Sequence, residues 1–334
     1  MGNKTRQGYA NARSCELSHA DREVSSNWRV TYVWGVEMDF NKPARTLDEQ
    51  IALLRERGMR INDPRRARHY LKHLNYYRLT AYWLPFEAEH ETHQFKQGSC
   101  FDDVLNLYVF DREFRLLLLD AIERVEVSLR TIWAYQLAHR YGSHAYLETK
   151  HAKRTDWHER NLRRLEKEVR RSDELFIQHY LNTYREPGLP PIWSVCEVMS
   201  LGLLSRWLTQ LKPSDATVIA REWSFDQSVL RGFVRHLTYV RNLCAHHSRV
   251  WNRSLTVTMP LPRSKPEALA SSVNRRADRR IYNTLATLVF LLDRISPGHE
   301  WKERLLELLE RHDVEVEKMG FPAGFERLPI WRTP

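Results

Sequence analysis

One apolar stripe, repeating every three or four residues from Phe101 to about His139, constrains the fold more than any other feature of the sequence. The stripe is carried by Phe114, Leu118, Ile122, Val125, Leu129 and Ile132. This period is that of an α-helix, so the pattern predicts one long core helix that ends near Gly142. The only strand-like alternation, Leu255, Val257 and Met259, is short and is followed by prolines. The sequence therefore predicts an all-α fold with little or no sheet.

Three regions follow one another along the chain. Residues 1–40 are polar and weakly periodic, which predicts a poorly ordered N-terminal extension; residues 41–100 are predicted to form an N-terminal helical subdomain, and residues 101–334 the main helical domain. Met38 precedes the first clear helix signal, so we expect it to be the natural start of the protein.

Helix starts and ends within these regions can be read from short signals. Thr46, with Glu49 three residues later, has the spacing of a capping box and predicts a helix start. Ser224 or Asp226 is expected to begin a helix whose inner face includes Leu230, Phe233, Leu237 and Val240. Two further helices are predicted at about 272–295 and 299–311, and the aromatic tail MGFPAGFERLPIW is expected to pack onto them.

The charge balance favours an anionic partner. The chain has 52 Lys and Arg against 42 Asp and Glu, a net charge of +10, which makes nucleic acid the first candidate. The four cysteines are scattered, so neither a disulfide framework nor a zinc ribbon is predicted. No signal peptide is evident, and the longest apolar run, residues 285–292, is too short to span a bilayer. We expect a cytoplasmic protein that does not enter a membrane.

Two segments combine many cations with apolar residues. In residues 63–86, the side chains of Lys72, Tyr76, Tyr77 and Arg78 are typical of a surface that grips a phosphate backbone and stacks bases. An amphipathic helix with a solvated basic face and core aromatics explains the same pattern, and both interpretations stay open. In residues 151–180, glutamates interleave with the arginines, which favours a solvated face.

The stretch RNLCAHHSRVW, residues 241–251, pairs a permanent cation with a residue that titrates near neutral pH. Arginine neutralises phosphate oxygens and histidine carries protons, a combination suited to a phosphodiester. On an ideal helix Arg241 and His246 are about 140° apart, whereas Asn242 and His246 share a face that Arg249 continues. A joint site then needs the reach of arginine, a bent helix end, or a second copy across a symmetric interface.

Other chemistries for this stretch are weaker. Arg241 could instead pair with an acid such as Glu197, leaving His246 as a hydrogen-bonded core residue. Zinc binding by Cys244 with a neighbouring histidine lacks a second pair of ligands at suitable spacing. A serine hydrolase is not supported, because no G-x-S-x-G motif is present.

The same stretch resembles the R-N-x-x-x-H signature of HEPN-domain ribonucleases, and its surroundings resemble the Abi-like (abortive infection) family of bacterial phage-defence proteins. The supporting segments are KPARTLDEQIALLRERGM, YLKHLNYYRLTAYWLPF, FDREFRLLLLDAIERVEVSLR, PPIWSVCEVMSLGLLSRW and the aromatic tail. The resemblance implies a HEPN-like helical bundle with additional N-terminal helices, and metal-independent RNA cleavage between two protomers. Arg241, Asn242 and His246 match the signature.

Other residues are candidates for supporting the site or for contacting RNA. His247 is a neighbour that the signature does not define, and Glu126, Arg130 and Glu197 are candidate supporting partners of the site. Arg249 joins Lys72, Tyr76, Tyr77 and Arg78 as a candidate RNA contact.

The expected chemistry needs only groups that RNA and the protein supply. The 2′-hydroxyl attacks the adjacent phosphate, His246 moves protons, each step worth on the order of 10²–10⁴-fold, and Arg241 stabilises the phosphorane. No cofactor or metal is expected, and the expected partners are RNA, a second copy of the chain, and a repressing regulatory RNA or antitoxin protein. Two alternatives stay open: a non-catalytic RNA-binding or RNA-regulated toxin-like module, and a structural helical adaptor.

Overall fold

The predicted long helix is present as α4 (Phe101–Tyr141) in the computed structural model, which describes residues 43–332. Five residues of the predicted stripe are buried and the sixth, Ile132, is half-buried. Gly142 ends the helix with a φ of 94°, a backbone conformation that glycine adopts without strain. The expectations for residues 1–40 and for Met38 lie outside the described residues.

In residues 43–100, three short helices and a hairpin precede α4. They are α1 (Leu47–Glu56), α2 (Pro64–Leu74), α3 (Tyr76–Trp83), β1 (Glu87–Glu89) and β2 (Gln94–Phe95). The capping box at the start of α1 is confirmed: the Thr46 hydroxyl accepts from the Glu49 N–H, and the Glu49 carboxylate accepts from the Thr46 N–H. Asn75, with a φ of 49°, separates α2 from α3 and its side chain caps α3.

Nine more α-helices follow α4 up to residue 332 and build the core around it. They are α5 (Thr155–Arg170), α6 (Leu175–Thr183), α7 (Ile192–Val198), α8 (Leu201–Gln210), α9 (Pro213–Glu222), α10 (Gln227–Ala245), α11 (Glu267–Ala270), α12 (Tyr282–Ile295) and α13 (Trp301–Arg311). Helices α3, α7, α9, α10, α12 and α13 all pack against α4, and α8 packs against both α5 and α10. The apolar run 285–292 is buried throughout as the middle of α12.

The segment after α10 corrects the strand prediction. Residues 251–262 form turns and bends, although Leu255 and Met259 are buried as the alternation requires. No neighbouring strand pairs with them among residues 43–332. The segment is held by α10 instead, because the buried His236 donates from Nδ1 to the Val257 carbonyl at 2.6 Å. The apolar alternation at residues 255–259 therefore comes from a loop that is buried on one side, not from a strand.

Both predicted C-terminal helices are present, but the first of them is shorter than predicted. Helix α12 begins at Tyr282, about ten residues later than predicted, because Asn283 folds the preceding chain back. Its side-chain amide accepts from the Asn274 N–H at 2.8 Å and donates to the Asn274 carbonyl at 2.9 Å. The aromatic tail packs onto α12 as expected, with Trp331 Nε1 donating to the Tyr282 hydroxyl at 3.0 Å.

Thirteen α-helices and one two-stranded sheet make up residues 43–332, which confirms the all-α fold class. The described chain from Thr46 onward forms one compact unit, so the proposed division at residue 100 remains a prediction. No helix in the described part of the chain combines the length and the apolar content needed to cross a membrane.

Candidate active site

Helix α10 carries the motif and is fixed along most of its length. Asp226 is the N-cap, and the predicted inner face, Leu230, Phe233, Leu237 and Val240, is fully buried. Gly232 allows the following loop to cross the helix, since a Cβ there would lie 2.1 Å from Cδ of Pro260. The inner face of α10 is therefore fixed by the core, and the loop around Pro260 packs against its first half.

The motif spans the end of this helix. Arg241, Asn242, His246 and His247 are exposed, while Leu243 and Cys244 between them are buried. The helix ends at Ala245, and His246 is the C-cap, with its N–H donating to the Asn242 carbonyl at 3.0 Å. His247 follows with a φ of 55°, which turns the chain away from the helix axis. His246 is thus a surface residue at a helix end, and the interpretation of it as a core histidine was wrong.

The predicted stripe of Asn242, His246 and Arg249 also needs correction. Because the helix ends before His246, Arg249 does not continue its face. Arg249 is half-buried and its Nη1 donates to the Ala81 carbonyl at 2.9 Å, so it joins the motif to α3. Whether it also contacts RNA stays a prediction.

Helix α3 is fastened to the residues that follow His246 by a second arginine. Arg78 Nη1 donates to the His247 carbonyl at 2.9 Å. Lys72 and Tyr77 are exposed on the same N-terminal segment, with Tyr77 at 74% exposure. Tyr76 is half-buried, packs edge-on against Trp83, and accepts a hydrogen bond from Arg57. Of the predicted RNA contacts on this segment, Arg78 is brought to the motif and Tyr76 serves packing.

Asp111 of α4 is the buried anchor beneath the motif, and the sequence reasoning missed it. Its Oδ1 accepts from the consecutive N–H groups of Val250 and Trp251, at 3.0 and 2.7 Å. Its Oδ2 accepts from the Tyr82 hydroxyl at 2.7 Å and from Arg115, with which it forms a buried ion pair. One carboxylate therefore ties α3, α4 and the chain after His247 together.

Burial sets the protonation of the groups around Asp111. It raises the pKa of Tyr82, with the Asp111 charge as the second cause, so the hydroxyl stays a donor. Burial also raises the pKa of the Cys244 thiol to about 12, with the same carboxylate again adding to the effect. Cys244 is therefore a neutral packing residue in the folded protein. No group of three or more His, Cys, Asp or Glu placed to hold a metal ion occurs among residues 43–332.

The three predicted supporting residues form a clamp on the connection between α7 and α8. Arg130 pairs with Glu126 one turn earlier on α4, and donates to the backbone carbonyls of Glu197 and Met199 at 2.9 and 2.8 Å. The Glu197 side chain is exposed, and its contact with Arg130 is made by the backbone. Arg241 donates to Asn242 Oδ1 at 3.4 Å, and no ion pair joins it to Glu197 within the described chain.

The clamp bears on the motif indirectly. It fixes the start of α8, where a Cβ on Gly202 would lie 3.7 Å from Cγ2 of Thr238. Thr238 lies one turn before Asn242 on α10, so α8 supports the helix just ahead of the exposed motif side chains.

The fold and the site together define an all-α protein with an exposed arginine, asparagine and histidine at the end of a core helix. A family model described as Abi-like protein matches residues 69–252, more than half of the chain, and the chain belongs to this family. Membership implies a part in abortive infection, a form of phage defence. The matched range begins in α2 and ends just beyond Trp251, so it contains the whole motif. Two of the five segments that carried the resemblance, at 42–59 and 319–331, lie outside it.

No curated protein and no solved structure matches the chain.

Proposed function

We propose that this Abi-like protein is a metal-independent endoribonuclease of the HEPN type that acts in the cytoplasm during abortive infection. The observation that carries the proposal is the exposure of Arg241, Asn242 and His246 together at the end of a helix that is otherwise buried on its inner face. Exposed polar side chains on a rigid support are the usual arrangement of groups that meet a substrate.

In the proposed mechanism RNA supplies the nucleophile. The 2′-hydroxyl loses its proton to His246 and attacks the adjacent phosphorus, and the departing 5′-oxygen takes a proton from the imidazolium formed at His246, giving a 2′,3′-cyclic phosphate and a 5′-hydroxyl. Arg241 stabilises the charge that develops on the phosphorane oxygens. Asn242 accepts from Arg241 Nη1 at 3.4 Å, which biases the guanidinium toward one orientation.

The active form is proposed to be a homodimer. Arg241 and His246 lie on different sides of the end of α10, so a second copy related by a twofold axis would add its own pair to the same cleft. A regulatory RNA or an antitoxin protein is proposed to keep the enzyme silent before infection.

Cleavage of labelled RNA by the purified protein tests the proposal. We expect cyclic phosphate termini, activity that persists in EDTA, and loss of at least about 10²-fold in rate in Arg241→Ala and in His246→Ala. Matched controls are Arg235→Ala, an exposed arginine of the same helix, and His179→Ala, an exposed histidine of α6. Full activity in His246→Ala, or dependence on a divalent metal, would reject the mechanism.

A second candidate is an RNA-binding module that does not cut. It is favoured by the bond between Arg78 and the His247 carbonyl, which brings α3, with the exposed Tyr77 beside Arg78, to the motif. Under this candidate the protein binds RNA, the strand stays intact, and the motif variants weaken binding alone.

A further inference from the structure

A tight turn after the motif gathers three arginines. The Arg253 N–H donates to the Val250 carbonyl at 3.2 Å, and Asn252 within the turn has a φ of 48°. The turn folds Arg253 back, so that its Nη1 lies 3.3 Å from the Arg249 carbonyl. Arg280, from the chain before α12, donates to Asn252 Oδ1 at 2.8 Å. We call Arg249, Arg253 and Arg280 the arginine cluster.

The cluster is held firmly in place. Asp111 binds the N–H groups of Val250 and Trp251, which fixes the turn from below. Gly320, with a φ of 90°, packs so closely on Arg280 that a Cβ there would lie 2.5 Å from the Arg280 Cβ. Because the backbone of the turn and the Cβ of Arg280 are fixed in this way, the three guanidinium groups have little freedom to separate.

No arginine of the cluster forms an ion pair within the described chain. All three side chains are half-buried. Asp111 is the nearby anion, but it already accepts four hydrogen bonds, one of them from Arg115. Burial lowers the pKa of Arg249, the charges of Asp111 and Tyr82 raise it, and the charges of Arg253 and Arg280 lower it. Half-burying like charges side by side is unfavourable unless an anion offsets it.

The free donors of the cluster match one chemical group. Each guanidinium has five N–H donors, and the acceptors that they contact are neutral oxygens: a carbonyl or amide oxygen at each Nη1 and, for Arg253, the Tyr239 hydroxyl as well. Arginine forks bind phosphate oxygens in a bidentate manner. The cluster follows His246 by three to seven residues along the chain, with Arg280 added from a distant segment.

We propose that the arginine cluster is a phosphate subsite, which binds a phosphodiester of the RNA strand next to the one that is cut. The subsite rests on the proposed function for the identity of the strand. It fixes the register of the RNA against Arg241 and His246 without taking part in the chemical step.

Salt dependence of binding tests the subsite separately from cleavage. Binding of a fluorescent single-stranded RNA is measured against salt concentration in the His246→Ala protein, so that the strand stays intact. Each phosphate contact contributes about 0.7 to the slope of log K against log salt for single strands. We expect Arg253→Gln and Arg280→Gln each to lower the slope by about 0.7, and the double variant by about twice that. Arg170→Gln is the control, since Arg170 pairs with Glu166 at 2.8 Å on α5.

Each outcome has a defined meaning. An unchanged slope in the Arg253 and Arg280 variants, or a loss of the same size in Arg170→Gln, overturns the subsite, and so does failure of the parent protein to bind RNA. Binding with the expected slopes but without cleavage by the wild-type chain rejects the nuclease and leaves the subsite standing.

A conservative variant covers the case in which the glutamine variants do not fold. Arg253→Lys keeps the charge and loses the fork, so the slope should stay while the affinity falls several-fold. Equal affinity of Arg253→Lys and the parent would then overturn the subsite.

Discussion

Arginines in two regions of the molecule have opposite surroundings. On α5 and the residue before it, four of the five exposed arginines form an ion pair with an acid on the same segment: Arg154 and Arg160 with Asp156, Arg163 with Glu159, and Arg170 with Glu166. Arg164 is the fifth, and it has no ion pair among the described residues. Around residues 247–253, Arg78 and the arginine cluster donate to carbonyl or amide oxygens and form no ion pair with the described residues.

The difference shows that the number of cations in a segment says little about nucleic-acid binding. A paired arginine on α5 has its charge balanced locally, so it contributes little field at a distance. An arginine bound to a neutral oxygen keeps its full charge and most of its donors. The region that follows the motif is therefore the stronger candidate for the RNA surface, although the α5 region contains as many arginines.

The largest expected effect concerns Asp111, the buried carboxylate beneath the motif. Asp111→Ala removes the acceptor of four hydrogen bonds and leaves Arg115 buried without a partner. We expect a loss of about 3–5 kcal/mol in the free energy of unfolding, measured by urea denaturation at pH 7.

Asp120→Ala is the matched control for this prediction. Asp120 is on the same helix and pairs with Arg124 and Arg304 at a partly exposed position, so its loss should cost about 1 kcal/mol or less. Equal costs for the two variants would mean that Asp111 does not anchor the turn.

The next effect concerns the bond that joins α3 to the motif. Arg78→Ala removes a charge-assisted hydrogen bond to the His247 carbonyl and a cation beside the exposed Tyr77. We expect RNA affinity to fall about tenfold, equivalent to about 1.4 kcal/mol, with little change in stability because the side chain is exposed. Fluorescence anisotropy in the His246→Ala protein measures it.

Arg65→Ala is the control that shows whether the effect of Arg78→Ala comes from the position of Arg78 or only from the loss of one positive charge. Arg65 is an exposed arginine of α2 without a bond to the motif. If both variants weaken binding equally, the bond to His247 has no special part in RNA binding.

Most of the helical architecture could be predicted because its signals are local. The stripe of α4, the capping box at Thr46 and the N-cap at Asp226 depend on residues a few positions apart. Alternation at residues 255–259 was misleading because a loop buried on one side shows the same pattern as a strand. The start of α12 was missed because the Asn283 side chain closes a loop that the apolar pattern does not record.

The candidate site could be predicted only where it is a contiguous motif. Arg241, Asn242 and His246 lie within six residues, whereas Asp111 meets Val250 across 139 residues and Arg280 meets Asn252 across 28. One signal for Asp111 was present: an acid between Phe110 and Phe114 on the apolar face of α4 is unusual unless it is bonded. No comparable local signal marked Arg253 or Arg280 among so many arginines.

The smallest expected effect reverses the comparison by giving α5 a second exposed arginine without an ion pair, in addition to Arg164. Glu166→Gln removes the carboxylate that pairs with Arg170 at 2.8 Å, one turn apart on an exposed face. We expect the salt slope of RNA binding to rise by at most about 0.7, with unfolding unchanged within error, because exposed pairs contribute little to stability. Glu303→Gln, an exposed glutamate of α13 without an ion pair among the described residues, makes the same change in net charge. If the salt slope rises in Glu166→Gln but not in Glu303→Gln, the freed guanidinium of Arg170 causes the gain. If it rises equally in both variants, net charge causes the gain, and pairing with an acid does not explain the difference between α5 and the arginine cluster.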